Sequence, residues 1–258
     1  MMTLRMLSAL LAAAFALATG PVRAEMKSEW VEYSHGDVKL KAYMAYDNKM
    51  TGKRPAVLMI HARDGMSPTT LQHAEIWAKL GYVSFAADIF GYGQGVLPKD
   101  VPEMQAQIAI YSKDRPLMRA RTQAGFDTLV KNPMVDPSKI ALIGYCFGGG
   151  VGVEFGSTGA PLVANVSIHG SFRDHEAGWA KNAKGMYLIL HGAEDEGYPL
   201  TTVDRVIQEL RASKVPFQME VYSGTGHGFS TPKNKAEERA NAQSIASTTR
   251  TLKELFGI

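Results

Sequence analysis

Residues 140–151 read Ile-Ala-Leu-Ile-Gly-Tyr-Cys-Phe-Gly-Gly-Gly-Val. This is an apolar strand, a cysteine with glycines two positions before and two after it, and the opening of a helix. A strand that turns this sharply into a helix leaves no room for side chains at Gly144 and Gly148. The turn holds its central residue above the sheet at a helix N-terminus, where the dipole favours a thiolate. Cys146 is therefore a candidate nucleophile, and the strand-turn-helix sequence already demands an α/β architecture. Phosphate binding is a weaker use of the same glycines. A P-loop needs Lys and Ser or Thr after its last Gly, whereas Val151-Gly152-Val153 follows here, and Gly91-Tyr-Gly-Gln-Gly95 lacks the dinucleotide spacing.

The rest of the chain agrees with that demand. Short apolar runs at 30–34, 38–46, 56–61, 82–87, 140–144, 162–168, 187–191 and 217–222 read as strands. Helix-like periodicity occupies 70–80, 116–131, 149–155, 201–213 and 236–255. The later apolar runs are nearly continuous, as in strands covered on both faces by helices. The alternation predicts a three-layer fold with a mostly parallel sheet of about eight strands. The first two runs alternate with polar residues and predict an antiparallel edge.

Residues 1–24 read as a secretory signal. Arg5 precedes an apolar stretch from Met6 to Ala18, and Val22-Arg23-Ala24 offers small residues for cleavage after Ala24. The stretch is short for a bilayer span. The expectation is a periplasmic or secreted protein whose residues 25–258 form one domain, with no membrane association after cleavage. Against 28 Lys and Arg stand 25 Asp and Glu, and no basic run exceeds a pair, so no nucleic-acid footprint is present. One cysteine excludes an internal disulfide. The 7 scattered histidines lack metal-ligand spacing, so neither metal nor cofactor is expected.

In a parallel α/β sheet, chemistry collects where the strands end. Downstream of Cys146, Asp195 follows the 187–191 run and His227 lies in Gly-Thr-Gly-His-Gly-Phe after the last run. The order nucleophile, acid, histidine fits a triad in which the imidazole takes the thiol proton and the acid orients the imidazole. Glu194 competes with Asp195 for the acid position. The oxyanion donors expected are the backbone N–H groups of Phe147 and Arg63, with Ala62 as the alternative to the latter. Tyr92, His169, Ser171 and Arg173 are candidate substrate-pocket residues. His35 and His73 read as surface residues, and His61 and His191 as structural ones.

Gly-Tyr-Cys-Phe-Gly-Gly, Asp-Glu-Gly-Tyr-Pro and Gly-His-Gly-Phe together resemble the dienelactone hydrolase (carboxymethylenebutenolidase) family across residues 25–258. The resemblance implies an α/β-hydrolase fold and cofactor-free hydrolysis of a small-molecule ester or lactone, with a Cys-Asp-His triad on Cys146, Asp195 and His227. It also places Ala62 where family members carry a Glu near the thiol. Tyr92 and Thr231 fall where they carry arginines for a substrate carboxylate. A non-catalytic or redox role on the same scaffold is the alternative.

Overall fold

The computed structural model describes residues 24–172 and 175–258. The signal-sequence expectation falls on residues outside this range. Eight strands form one sheet: β1 (Met26–His35), β2 (Val38–Asp47), β3 (Arg54–Ile60), β4 (Val83–Ala87), β5 (Val135–Tyr145), β6 (Ala164–Ile168), β7 (Met186–Gly192) and β8 (Phe217–Tyr222). Their order is β1-β2-β4-β3-β5-β6-β7-β8. β1 and β2 are antiparallel to each other and β2 is antiparallel to β4, whereas every pairing from β4 through β8 is parallel. The polar alternation of the first two runs and the apolar continuity of the later ones predicted that division.

Continuous apolar runs are needed because both faces of the sheet are covered. In β5, Ile140 and Leu142 pack on one side with Phe126, Leu129 and Phe155 of helices α3 (Arg115–Val130) and α4 (Phe147–Gly156). Ala141, Ile143 and Tyr145 face the other side with Trp77 of α1 (Pro68–Lys79) and Leu252 and Phe256 of α6 (Lys235–Phe256). β7 divides likewise. Tyr187 and Ile189 join Val203, Val206 and Leu210 of α5 (Leu200–Ala212), and Leu188 and Leu190 join the α6 side. Period-two alternation thus serves two cores at once.

Several boundaries differ from the sequence expectation. β5 starts at Val135, ahead of the apolar run, because Arg54 of β3 pairs with Val135 across a register shift. α2 (Val101–Lys113) was not expected at all. Its face is weakly apolar and only Tyr111 is buried, so the periodicity that marks an amphipathic helix is faint. Its signals were capping signals. Asp100 accepts from Glu103 N–H at 3.0 Å, Glu103 accepts from Lys99 N–H at 2.8 Å, and Pro102 stands in the first turn. His73 is also a correction. It is buried rather than on the surface, because it shares the inward face of α1 with Trp77 and its ring stacks on Tyr145 with centroids 4.0 Å apart.

Candidate active site

The turn between β5 and α4 puts Cys146 at φ 51°, a left-handed conformation that a side-chain-bearing residue adopts only when its surroundings enforce it. The enforcement is visible. A Cβ on Gly144 would lie 2.1 Å from Gly148 O, and one on Gly148 would lie 2.3 Å from Ile60 O. The loop after β6 grips the turn from the side: Cys146 N–H donates to Ile168 O at 3.1 Å and Ser171 N–H donates to Cys146 O at 2.8 Å. That loop is itself strained, with His169 at φ 41°.

Three chain-distant residues meet at this turn. His227 Nε2 is 3.0 Å from Cys146 Sγ, and His227 Nδ1 is 2.8 Å from Asp195 Oδ2. Asp195 is fully buried, and its other oxygen accepts from Tyr198 N–H at 2.9 Å. Glu194 is directed elsewhere: it accepts from Thr225 N–H at 2.9 Å and so braces the loop that carries His227. Of the two acids that the sequence left open, Asp195 is the one facing the imidazole. Ser171 Oγ lies 3.5 Å from the sulfur.

The electrostatics follow from these contacts. Burial opposes charge on Cys146, yet the hydrogen bond and charge of His227 outweigh it, helped by Ser171 and Phe147 N–H, and the thiol lies below its ordinary range. Burial likewise disfavours imidazolium, but hydrogen bonds to Asp195 and Cys146 push His227 up to about 9. Asp195 is held below the usual carboxylate value: burial opposes this, and the His227 contact prevails. The arrangement stabilises a thiolate facing an imidazolium. His169 goes the opposite way. Burial, then the neighbouring charge of His227, holds it well below its ordinary value, so it is a neutral ring in the wall.

Two cavities lie at this turn, and Cys146 itself lines the larger of them. The larger, with about 1260 Å³ of empty space, is lined by Ala62, Arg63, His73, Met104, Cys146, His169, His227 and Thr231 among others. The smaller, about 470 Å³, is lined by Phe147, next to Cys146 in the chain, by Ser171, whose Oγ lies 3.5 Å from the sulfur, and by Tyr198, Glu154 of α4 and His175 of the loop after β6. Phe147 N–H opens α4, where no intrahelical acceptor exists for it. Arg63 stands in the loop after β3, beside Cys146 across the larger cavity.

Of the other candidate residues, His169 and Ser171 are brought to the cavities. Tyr92 is not. It stacks on Trp30 with ring centroids 5.0 Å apart, and this edge-strand partner keeps it out of both linings. Arg173 lies outside the described residues. His61 and His191 are structural as expected: His61 Nε2 accepts from Ile89 N–H at 3.2 Å, and His191 Nε2 donates to Tyr198 O at 2.8 Å. The residues that sequence reasoning missed are Met104 and Ile108 on α2, and Glu154, His175 and Tyr198. The i, i+4 spacing of Met104 and Ile108 was available as a signal, but only to a reader who had found α2 by its caps.

The strand order, with the turn at the end of β5 and the acid and histidine after β7 and β8, is that of the α/β-hydrolase fold. The dienelactone hydrolase family model matches residues 40–256. The chain belongs to this family. A putative carboxymethylenebutenolidase of Synechocystis sp. is 25% identical over 90% of this chain and 97% of its own length. A carboxymethylenebutenolidase homolog of Mus musculus is 27% identical over 74% of this chain and 76% of its own. Among solved structures, a dienelactone hydrolase-like promiscuous phosphotriesterase from metagenomic libraries superposes with a TM-score of 0.84. It is 31% identical and covers 90% of this chain and 99% of its own. Membership in the dienelactone hydrolase family makes the protein an enzyme of the ester and lactone hydrolase class.

Proposed function

We propose that the protein is an exported thiol hydrolase of small activated esters or lactones that works through an acyl-enzyme on Cys146. The single observation that carries this reading is the unbroken chain from Cys146 Sγ to His227 Nε2 at 3.0 Å and from His227 Nδ1 to Asp195 at 2.8 Å. The sulfur attacks the carbonyl carbon, and its oxygen takes the negative charge against the N–H groups of Phe147 and Arg63. As the intermediate collapses, His227 gives its proton to the departing alkoxide. The same imidazole then takes a proton from water, whose oxygen attacks the thioester carbon, and the acid leaves with Cys146 regenerated.

Thiolate chemistry selects the substrate. A thiolate leaves more readily than an alkoxide, so the intermediate reverts unless the alcohol departs easily. Enol and aryl esters meet this demand, and amides do not. Export rests on Arg5, the apolar stretch 6–18 and the small residues before Glu25. Turnover of p-nitrophenyl acetate or butyrate by the protein, compared with Cys146→Ala, is the test. A wild type that turns over no ester or lactone while its thiol still titrates supports the non-catalytic or redox role instead.

One comparison favours a second reading. The metagenomic structure is described as a promiscuous phosphotriesterase, and a thiolate beside two N–H donors suits a phosphoryl oxygen as well as a carbonyl one. An aryl phosphotriester in the same assay decides it.

A further inference from the structure

α2 forms part of the wall of both cavities at the Cys146 turn. Met104 lines the larger cavity, whereas Ile108 and Ser112 line the smaller. Residues spaced by four stand one above another on a helix face, so a single stripe of α2 contributes to both linings.

Which part of an ester enters which cavity follows from the tetrahedral centre formed on the sulfur, and so rests on the thiol-hydrolase reading above. Four substituents surround that carbon. The sulfur is one. The oxyanion points to the N–H groups of Phe147 and Arg63. The departing oxygen must approach His227 Nε2, and His227 lines the larger cavity. The fourth substituent, the acyl chain, has the Ser171 side left to it, and Ser171, 3.5 Å from the sulfur, lines the smaller cavity with Phe147 and Tyr198.

The smaller cavity combines apolar walls with a polar group formed by Ser112, Arg115, Glu154 and His175. Ile108, Met118, Phe147 and Val151 supply apolar walls, and Gly150 leaves room beside them. At the far end stands Glu154, with only 7% of its side chain exposed, held by Arg115 at 2.8 Å, Arg119 at 3.0 Å and His175 at 2.7 Å. An apolar chain that reached this cluster would strip water from paired charges without replacing it, which is costly. Phe147 and Glu154 are separated by two turns of α4, about 10 Å at 1.5 Å per residue, which suits an acyl chain of about six carbons.

We propose that the cavity between Phe147 and Glu154 is an acyl subsite for unbranched apolar acyl groups of short to medium length, its depth set by the Glu154 ion-pair cluster. The larger cavity takes the alcohol. Ile108 and Met104, one turn apart on α2, then control acyl and alcohol selectivity separately.

The test uses two ester series. In one, p-nitrophenyl esters run from acetyl to dodecanoyl. In the other, the acyl group is acetyl and the aryl alcohol varies in size. For the wild type, kcat/KM rises from acetate to about hexanoate and falls by dodecanoate, since each methylene accepted by an apolar pocket is worth about tenfold or more. Ile108→Trp fills the slot and lowers the hexanoate-to-acetate ratio at least about tenfold while leaving the ranking of alcohols unchanged. Met104→Trp does the reverse. Met118→Ala widens the slot and moves the optimum to longer chains, which guards against misfolding as the cause of the Ile108→Trp result. An acyl profile unmoved by Ile108→Trp and Met118→Ala, or moved equally by Met104→Trp, overturns the assignment. Alkyl chloromethyl ketones of the same chain lengths, from which the thiolate displaces chloride, give a readout independent of ester turnover. Failure of every ester with a chain-dependent alkylation of Cys146 would sink the hydrolase reading and keep the subsite; chain-independent alkylation would sink the subsite.

Discussion

His227 stands between a thiol and a carboxylate, with Nε2 3.0 Å from the Cys146 sulfur and Nδ1 2.8 Å from Asp195 Oδ2. Each, when ionised, raises the proton affinity of the imidazole, and the imidazolium in turn lowers that of the thiol. Residue 62 is alanine and offers no carboxylate to compete for the thiol proton, so a thiolate–imidazolium pair is the expected resting state.

The alkylation rate of Cys146 by iodoacetamide should therefore be high near about pH 6, where an ordinary thiol of pKa about 8.5 is almost wholly protonated. The thiol lies below its ordinary value because the His227 contacts outweigh burial, so the thiolate is present above that lowered pKa and lost as pH falls through it. In His227→Ala the burial contribution remains and the inflection should move to the ordinary value or above it. A wild-type inflection at the ordinary thiol pKa would exclude the ion pair.

On the basic side, kcat/KM for a p-nitrophenyl ester should fall as pH passes about 9, where His227 loses the proton that the leaving alkoxide needs. Burial alone would move that limb downward, and the contacts to Asp195 and Cys146 hold it up. Asp195→Asn should lower it. A basic limb that is unchanged in Asp195→Asn would assign it to another group.

Cys146→Ala and His227→Ala should each lower kcat by at least about a thousandfold. Asp195→Asn should cost less than either. Glu194→Gln should stay within a few fold, because Glu194 braces Thr225 N–H rather than the imidazole. Steady-state kinetics in which Glu194→Gln is the more damaging of the two would exchange their roles.

Ser171→Ala removes a hydroxyl 3.5 Å from the sulfur without touching the Ser171 N–H that holds Cys146 O. The thiol inflection should rise, because the hydroxyl is one of the groups that hold the thiol below its ordinary range. The same iodoacetamide profile reads this directly, and an unmoved inflection would show that the hydroxyl does not donate to the thiolate.

Protein recovered after export should begin at Glu25 and carry one free thiol. N-terminal sequencing and thiol titration check both, and an intact N-terminus on protein outside the cytoplasm would overturn cleavage after Ala24.

Local sequence determined a large part of this protein. The glycines at 144 and 148 and the apolar strand before them prescribe the turn at Cys146, because a Cβ at either position meets backbone within 2.3 Å. Strand faces were legible because a strand covered on both sides must be apolar at every position, as Ile140 to Ile143 are. The order of Cys146, Asp195 and His227 along the chain carried the site for a similar reason: each follows a strand, and strands of a parallel sheet end on one side. Tertiary structure decided what depends on partners far away in the chain. Glu194 and Asp195 are adjacent carboxylates, and only the packing of the loops after β7 and β8 directs one to Thr225 and the other to His227. Tyr92 was drawn away by Trp30, 62 residues earlier, an aromatic pairing without a local signature. The slot behind Ser171 exists because α2, α3 and α4 leave a gap between their side chains. A gap of that kind is a property of three packed helices, and no single segment encodes it.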